Sequence, residues 1–397
     1  MKKALLFLLL FPCLSVWAFD FGLVLDQSGG YGGFGGEGRA DYKAALVPRF
    51  SAMFGESGIL YLSAGMNVEY LYENWSFIPE LLRSEFSWRF PRSEFTIGRM
   101  YYSDPLGFIA EGLFDGGRFT IDSGFGNISL GGWYTGFLYK NRANIAMTDE
   151  EFVSLGTVVD FDDFANTYFA PSRFFAALDW VHPSIGIGLL RARLSLLGQF
   201  DLSGEELHTQ YITTKLSLPV NAFLFNFGAS LGFTGLIDGD PELFLAAELG
   251  ADWILQLAFQ SRLSFLARYT SGASGSLGAF LPLTTINQGY VLQEKPSGLT
   301  ILSLSYIARL YRNASVSLSS SYFIRNGTET FVRYPVSEQT ENGYLLGNEF
   351  FGRLFYSPFS DLSINLGAGV FLPSMGNVTP DHHNRWRIEF GIILSLY

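Results

Sequence analysis

Cysteine is almost absent. The only one in 397 residues is Cys13, within the first 18 residues, so the remainder has neither a disulfide framework nor thiol chemistry and is compatible with an oxidising envelope compartment. Charge is scarce as well. Charged residues make up 16% of the chain against 48% hydrophobic and 17% aromatic, which is little charge for a soluble protein of this size. Yet no window beyond the first 18 residues strings together the 18 or more apolar residues of a membrane-spanning helix.

These gaps close off most chemistry. Histidine is limited to His182, His208, His382 and His383. Ser203 lies near His208, but no nucleophile motif surrounds it. The adjacent pair His382-His383 lacks zinc-like spacing, and no twelve-residue calcium loop is present. The stretch Gly29-Gly30-Tyr31-Gly32-Gly33-Phe34-Gly35-Gly36 lacks the Gly-Lys-Ser/Thr ending of a phosphate loop and no helical pattern follows it, so it reads as a mobile aromatic loop. With a net charge of −11 and no exposed basic patch, nucleic acid is disfavoured as a partner. No catalytic residue, cofactor or metal site is expected.

A secretion signal and a period of two are what the chain does contain. Lys2-Lys3, the apolar run from Ala4 to Phe11 and the triplet Val16-Trp17-Ala18 make a signal peptide over 1–18, cleaved near Ala18. Phe11 and Pro12 depart from the small residues that would precede an acylated Cys13. Downstream, alternating segments recur. Leu60, Leu62, Ala64, Met66, Val68 and Tyr70 oppose Ser63, Asn67 and Glu69; in the closing segment Trp386, Ile388, Phe390, Ile392, Leu394 and Leu396 oppose Arg385, Arg387, Glu389 and Ser395. A secreted, apolar, aromatic-rich chain without helical spans can satisfy its backbone in lipid by closing a barrel. The fold class expected for 19–397 is all-β, a transmembrane up-and-down antiparallel β-barrel of about 18 strands, with 14 or 16 as alternatives.

The connections alternate in length. Short ones are expected near 55–57, 91–93, 124–127, 183–184, 219–221, 252–255, 311–313 and 357–360. Long ones are expected near 27–38, 72–76, 102–117, 140–172, 201–210, 235–242, 271–298, 326–344 and 372–384. This sorting puts tight turns and both termini at one, periplasmic, rim. Trp75, Trp88, Trp180, Trp253 and Trp386 fall near strand ends, where an aromatic belt belongs. The long connections are strongly acidic, and Asp149, Glu150, Glu151, Asp160, Asp162 and Asp163 mark 140–172 as a constriction or ligand loop. Strand parity puts Arg49, Arg83, Arg89, Arg191, Arg193, Arg262, Arg268, Arg309, Arg353 and Arg387 on the water side, with Lys215. A lipid-facing Arg at mid-membrane costs roughly 2–4 kcal/mol. Glu69, Glu80, Glu85, Glu248, Glu349 and Glu389 share that side, so the arginines either draw anions through a pore or pair across it.

These features resemble the outer-membrane β-barrel porins of diderm bacteria. The passage Thr96-Ile97-Gly98-Arg99-Met100-Tyr101-Tyr102 with Gly112-Leu113-Phe114-Asp115-Gly116 is similar to strand–loop passages of larger porins and alginate-export-type barrels. The closing strand resembles the sorting signal of the barrel-assembly machinery, ending in Tyr397 where phenylalanine is usual. The resemblance implies an outer-membrane location, partners limited to lipid, that machinery and small solutes, and compatibility with homo-oligomers. The expected function is passive, anion-favouring diffusion of small hydrophilic solutes; a surface adhesin or a fatty-acid-type transporter are the alternatives. No enzymatic activity is expected. N-terminal sequencing of the membrane-extracted protein should read from near Phe19; a start at Met1 would contradict the leader.

Overall fold

In a computed structural model the described residues are 16–396, apart from 35–36, 72, 156, 186–189, 203–206, 236–240, 258, 274–276, 328–342 and 379–382. They form one antiparallel sheet of 18 strands. The strands are β1 (Val16–Phe34), β2 (Glu37–Phe54), β3 (Gly58–Leu71), β4 (Asn74–Phe90), β5 (Ser93–Ser103), β6 (Glu111–Ser123), β7 (Gly126–Tyr134), β8 (Arg173–Ile185) and β9 (Leu190–Asp201). There follow β10 (Thr209–Val220), β11 (Phe223–Thr234), β12 (Glu242–Gln256), β13 (Gln260–Thr270), β14 (Leu299–Tyr311), β15 (Ala314–Arg325), β16 (Leu345–Phe359), β17 (Leu362–Leu372) and β18 (Arg385–Leu396). Because β1 pairs with both β2 and β18, the sheet closes on itself. Closure pairs the backbone groups that an open edge would leave bare in lipid. Among the described residues no helix is long and apolar enough to cross a membrane.

Register separates the two faces as the alternation requires. Leu46 opposes Met66 and Phe50 opposes Leu62 on one side, while Lys43 opposes Glu69 and Arg49 opposes Ser63 on the other. Phe390 opposes Leu366 and Ile388 opposes Ala368 on the outer side, against Glu389–Gly367 and Arg387–Gly369 within. Trp75, Trp253 and Trp386 are exposed on the outer face.

Several connections differ from expectation. The predicted long loop 27–38 is strand almost throughout: β1 runs to Phe34 and β2 resumes at Glu37, with Gly35 and Gly36 outside the described residues. Its glycines are consumed by packing, since a Cβ on Gly29 would lie 2.7 Å from the Phe390 ring and one on Gly33 2.7 Å from that of Trp386. The predicted long connection 72–76 is likewise tight, because β3 ends at Leu71 and β4 starts at Asn74. The expected turns at 183–184 and 252–255 lie inside β8 and β12, and the chain reverses a few residues later. Of the expected signal, 1–15 lie outside the described residues and the last three extend β1.

The wall forks between β4 and β5. Their pairing runs from Phe90↔Ser93 up to Ser84↔Arg99 and goes no further, although β4 continues to Asn74 on its β3 side. Gly98 is the pivot: its φ is +117° and a Cβ there would sit 1.9 Å from the Ser84 carbonyl oxygen. Side chains take over the unzipped edge. Arg99 donates to the Leu81 carbonyl and, at 3.0 Å, to that of Phe137, while its guanidinium is held by Asp115 at 2.6 Å. Tyr168 donates to the Pro79 carbonyl at 2.8 Å. Pro79 has no N–H to leave unpaired, as suits a free edge. Replacing Gly98 by alanine should therefore cost about 2 kcal/mol or more through strain at a positive φ, read as a lower temperature for losing the folded barrel's mobility in gel electrophoresis. An unchanged temperature would remove Gly98 as the pivot.

Candidate functional site

Three long connections turn into the barrel and pack on its inner face. Leu106, Phe108, Ile109 and Ala110 come from the first, Leu138, Ala143, Ile145, Met147 and Ala170 from the second, and Phe280 and Leu283 from the third. They bury themselves against inward residues of β5–β12, among them Tyr102, Phe114, Trp133, Phe175, Leu197, Tyr211 and Phe244. Burying this much apolar surface stabilises the inserted loops at roughly 25 cal/mol per Å². The interior on this side is filled by the inserted loops.

Each inserted loop is fastened by a carboxylate. Asp104 follows β5 and accepts the amides of Leu106 (2.7 Å), Gly107, Phe108, Ile109 and Ala110. Burial pushes its pKa up against the pull of those amides. On β16, Glu349 accepts the amides of Tyr290, Val291 and Leu292, at 2.8–2.9 Å. The 135–172 connection contains α1 (Lys140–Ala143), α2 (Asp149–Leu155) and α3 (Phe164–Tyr168). Its Glu151 is buried and pairs with fully buried Arg173 at 2.5 Å, while accepting the Met147 amide at 2.6 Å. Arg142 donates to Glu80 at 3.0 Å and Tyr139 to Glu69 at 3.3 Å. Burial lowers the pKa of Lys140, which bonds to Thr157 at 2.5 Å.

The six acidic residues marked in this loop therefore do different things. Glu151 is an anchor. Asp160, Asp162 and Asp163 are exposed, with Asp160 and Asp163 engaged in loop hydrogen bonds. Glu150 is exposed on α2, and the side chain of Asp149 lies outside the described residues. Among the described residues no cluster of His, Cys, Asp or Glu is arranged to hold a metal. His208 accepts the Asp201 amide on its Nδ1 at 3.0 Å, and His382 lies outside the described residues.

All ten arginines predicted for the water side share the register face that meets the loops. Some are paired. Arg83 sits 2.7 Å from Glu85, Arg89 3.4 Å from Glu94, and Arg262 3.8 Å from Asp252. Glu248 receives Arg268 at 2.8 Å and Lys215 at 3.1 Å. Arg353 pairs with Glu389, and Arg387 with Asp41 at 2.8 Å. Two further guanidiniums contact backbone oxygens: Arg193 reaches Ser103 at 3.5 Å and Arg309 the Arg312 carbonyl at 2.7 Å. Arg49 and Arg191 have no carboxylate within ion-pair distance among the described residues. Cross-strand neighbours align Arg193, Lys215, Gly228, Glu248 and Arg268 in one row over β9–β13. Arg268 also donates to Gln288 at 2.8 Å and lies 4.2 Å from the Phe108 ring centroid, so this row touches two inserted loops.

Asp104, Arg99, Arg142 and Arg173 carry structure that residue-type arguments missed. Asp104 left the one usable trace, an Asp at a strand end followed by Pro105 and Gly107, which is turn chemistry.

No family model matches the sequence, and no curated protein does. Solved structures of similar fold include OccK2 (OpdF) of Pseudomonas aeruginosa in complex with glucuronate, with TM-score 0.62, 14% identity, and 96% of this chain and 99% of that one covered. The outer membrane protein OpdK of the same organism matches at TM-score 0.60 and 12% identity over 95% and 99%. Its vanillate-bound form matches at 0.61 and 11% over 95% and 99%. At these identities the likeness is one of fold.

Removing the Arg173 guanidinium would strand buried Glu151, a loss of about 3–5 kcal/mol locally. In Arg173→Ala the 135–172 connection should become cleavable by trypsin after Lys140 and Arg142 under conditions where the native barrel resists. Equal resistance would show that the pair does not anchor the loop.

Proposed function

We propose that the protein is a passive outer-membrane channel for small hydrophilic solutes that favours anions. The observation that carries this reading is the inner wall itself, where among the described residues Arg49 and Arg191 have no carboxylate within ion-pair distance, beside the Arg193–Lys215–Glu248–Arg268 row. Guanidiniums on a water-facing, low-dielectric wall attract carboxylate or phosphate groups and can hold them in bidentate fashion. The similar structures were solved with glucuronate and vanillate, both carboxylates, and that solute class matches this wall.

A fatty-acid-type route is not supported by the interior. Phe175 and Leu197 are buried in the loop–wall core, not set along a passage. A hydrolase built on His208 is disfavoured by that ring's use as an acceptor for a backbone amide. An adhesive role for the loops accounts for neither the inward arginines nor the buried anchors. The leader over 1–18, both termini on the periplasmic side, recognition of the closing strand by the barrel-assembly machinery and a lipid annulus complete the reading.

In planar bilayers the purified protein should form conducting, anion-preferring channels. Reversing Arg191, Arg193 and Arg262 to glutamate should reduce the anion-to-cation permeability ratio by roughly tenfold, most at low salt where screening is weakest. No conductance, or a ratio untouched by the reversals, would refute the proposal.

A further inference from the structure

At the short-turn rim, one inward position along β16 from the Arg353 that stacks on Tyr290 of an inserted loop, lies a second basic site. Cross-strand pairing lines up Gln260, Arg309, Ser315 and Phe355 on one row of the inner face, over β13, β14, β15 and β16. With Arg312 and Asn313 of the adjoining turn they surround an open pocket of about 290 Å³, which also takes in Ile307 and Ser357. That is the small end of ligand-sized pockets.

Three features distinguish this pocket from a merely solvated rim. It holds two guanidiniums and no carboxylate: neither Arg309 nor Arg312 has an acidic partner within ion-pair distance among the described residues, whereas one row higher Arg353 is paired with Glu389. Arg309 is set in place by its bond to the Arg312 carbonyl at 2.7 Å. And an aromatic ring, Phe355, stands 42% exposed on the face that elsewhere along β14 and β15 carries Ser303, Ser305, Ser317, Ser319 and Ser321. A half-exposed ring on a water-facing wall, between guanidiniums and hydroxyls, offers a flat apolar surface beside a charge anchor.

We propose that this pocket binds a small dianion with a flat apolar body, separately from the constriction. Two guanidiniums with no carboxylate beside them among the described residues favour a ligand that carries two negative charges. The ring and Ile307 take the apolar face, and Ser315, Ser357, Gln260 and Asn313 supply hydrogen bonds to acid oxygens. The channel reading gives the pocket its place on a solute's route, but binding can be measured apart from conduction.

The test is isothermal titration of the full-length barrel in nonionic detergent, with phthalate as the flat dianion and sulfate and benzoate as comparisons. Native protein should bind phthalate more tightly than either. Arg309→Gln with Arg312→Gln should weaken phthalate by about tenfold or more, as expected for loss of charge-assisted bonds, with the folded gel mobility retained. Phe355→Ala should weaken phthalate severalfold and leave sulfate unchanged. Phthalate affinity untouched by the double substitution, or binding seen only with micelles containing an anionic phospholipid, would overturn the proposal. If the native protein binds phthalate in this pattern yet carries no current, the pocket stands and the channel reading falls. If it conducts but does not bind phthalate, the reverse holds.

Discussion

Everything in this molecule follows from the requirement that a backbone in hydrocarbon pair all its polar groups. Eighteen strands meet that requirement by closing β1 onto β18. Closure fixes which residues face out, and the alternation of two then sends almost every charge inward. The interior must manage a dense population of arginines and carboxylates without an apolar core of its own, and the inserted loops supply one on the β5–β12 side.

The loops are held by one device used three times: a carboxylate on the wall, at a hinge or on the loop itself that gathers backbone amides or a guanidinium. Asp104 takes five amides, Glu349 three, and Glu151 two amides and the Arg173 pair. Charge-assisted bonds of this kind are stronger than neutral ones and fix position as well as energy. Long connections with little regular structure of their own are thereby held in place against the wall. Arg49 and Arg191, with no carboxylate within ion-pair distance among the described residues, are the wall arginines that the proposed channel would turn toward a solute.

Much of this was legible beforehand where a local rule had no competitor. The closing strand alternates cleanly because lipid bounds one face of it over its whole length, and the inward parity of Arg191, Arg193 and Arg387 came from the same rule. The rule failed where tertiary packing overrides composition. Gly29 to Gly33 read as a loop because glycine is rare in strands, yet here glycine is what lets the rings of Phe390 and Trp386 lie close to the sheet. The buried anchors were illegible for another reason. Arg173 and Glu151 lie 22 residues apart and meet only once the loop has folded back, and nothing in their types separates them from surface charges. Arg99, quoted only within a strand–loop passage, could not show that its task is to replace a missing strand partner.

The fork between β4 and β5 ties two things that are usually independent. In most barrels the wall is conserved by physics and the outer loops are left to evolution, which can lengthen, shorten or diversify them under pressure from phages or host defences. Here Tyr139, Tyr168 and the Phe137 carbonyl help complete the wall. A change in the length of the 135–172 segment would unseat these groups and expose bare backbone to lipid. Its length and sequence are therefore limited by the wall it completes, and variation has to be carried by other connections.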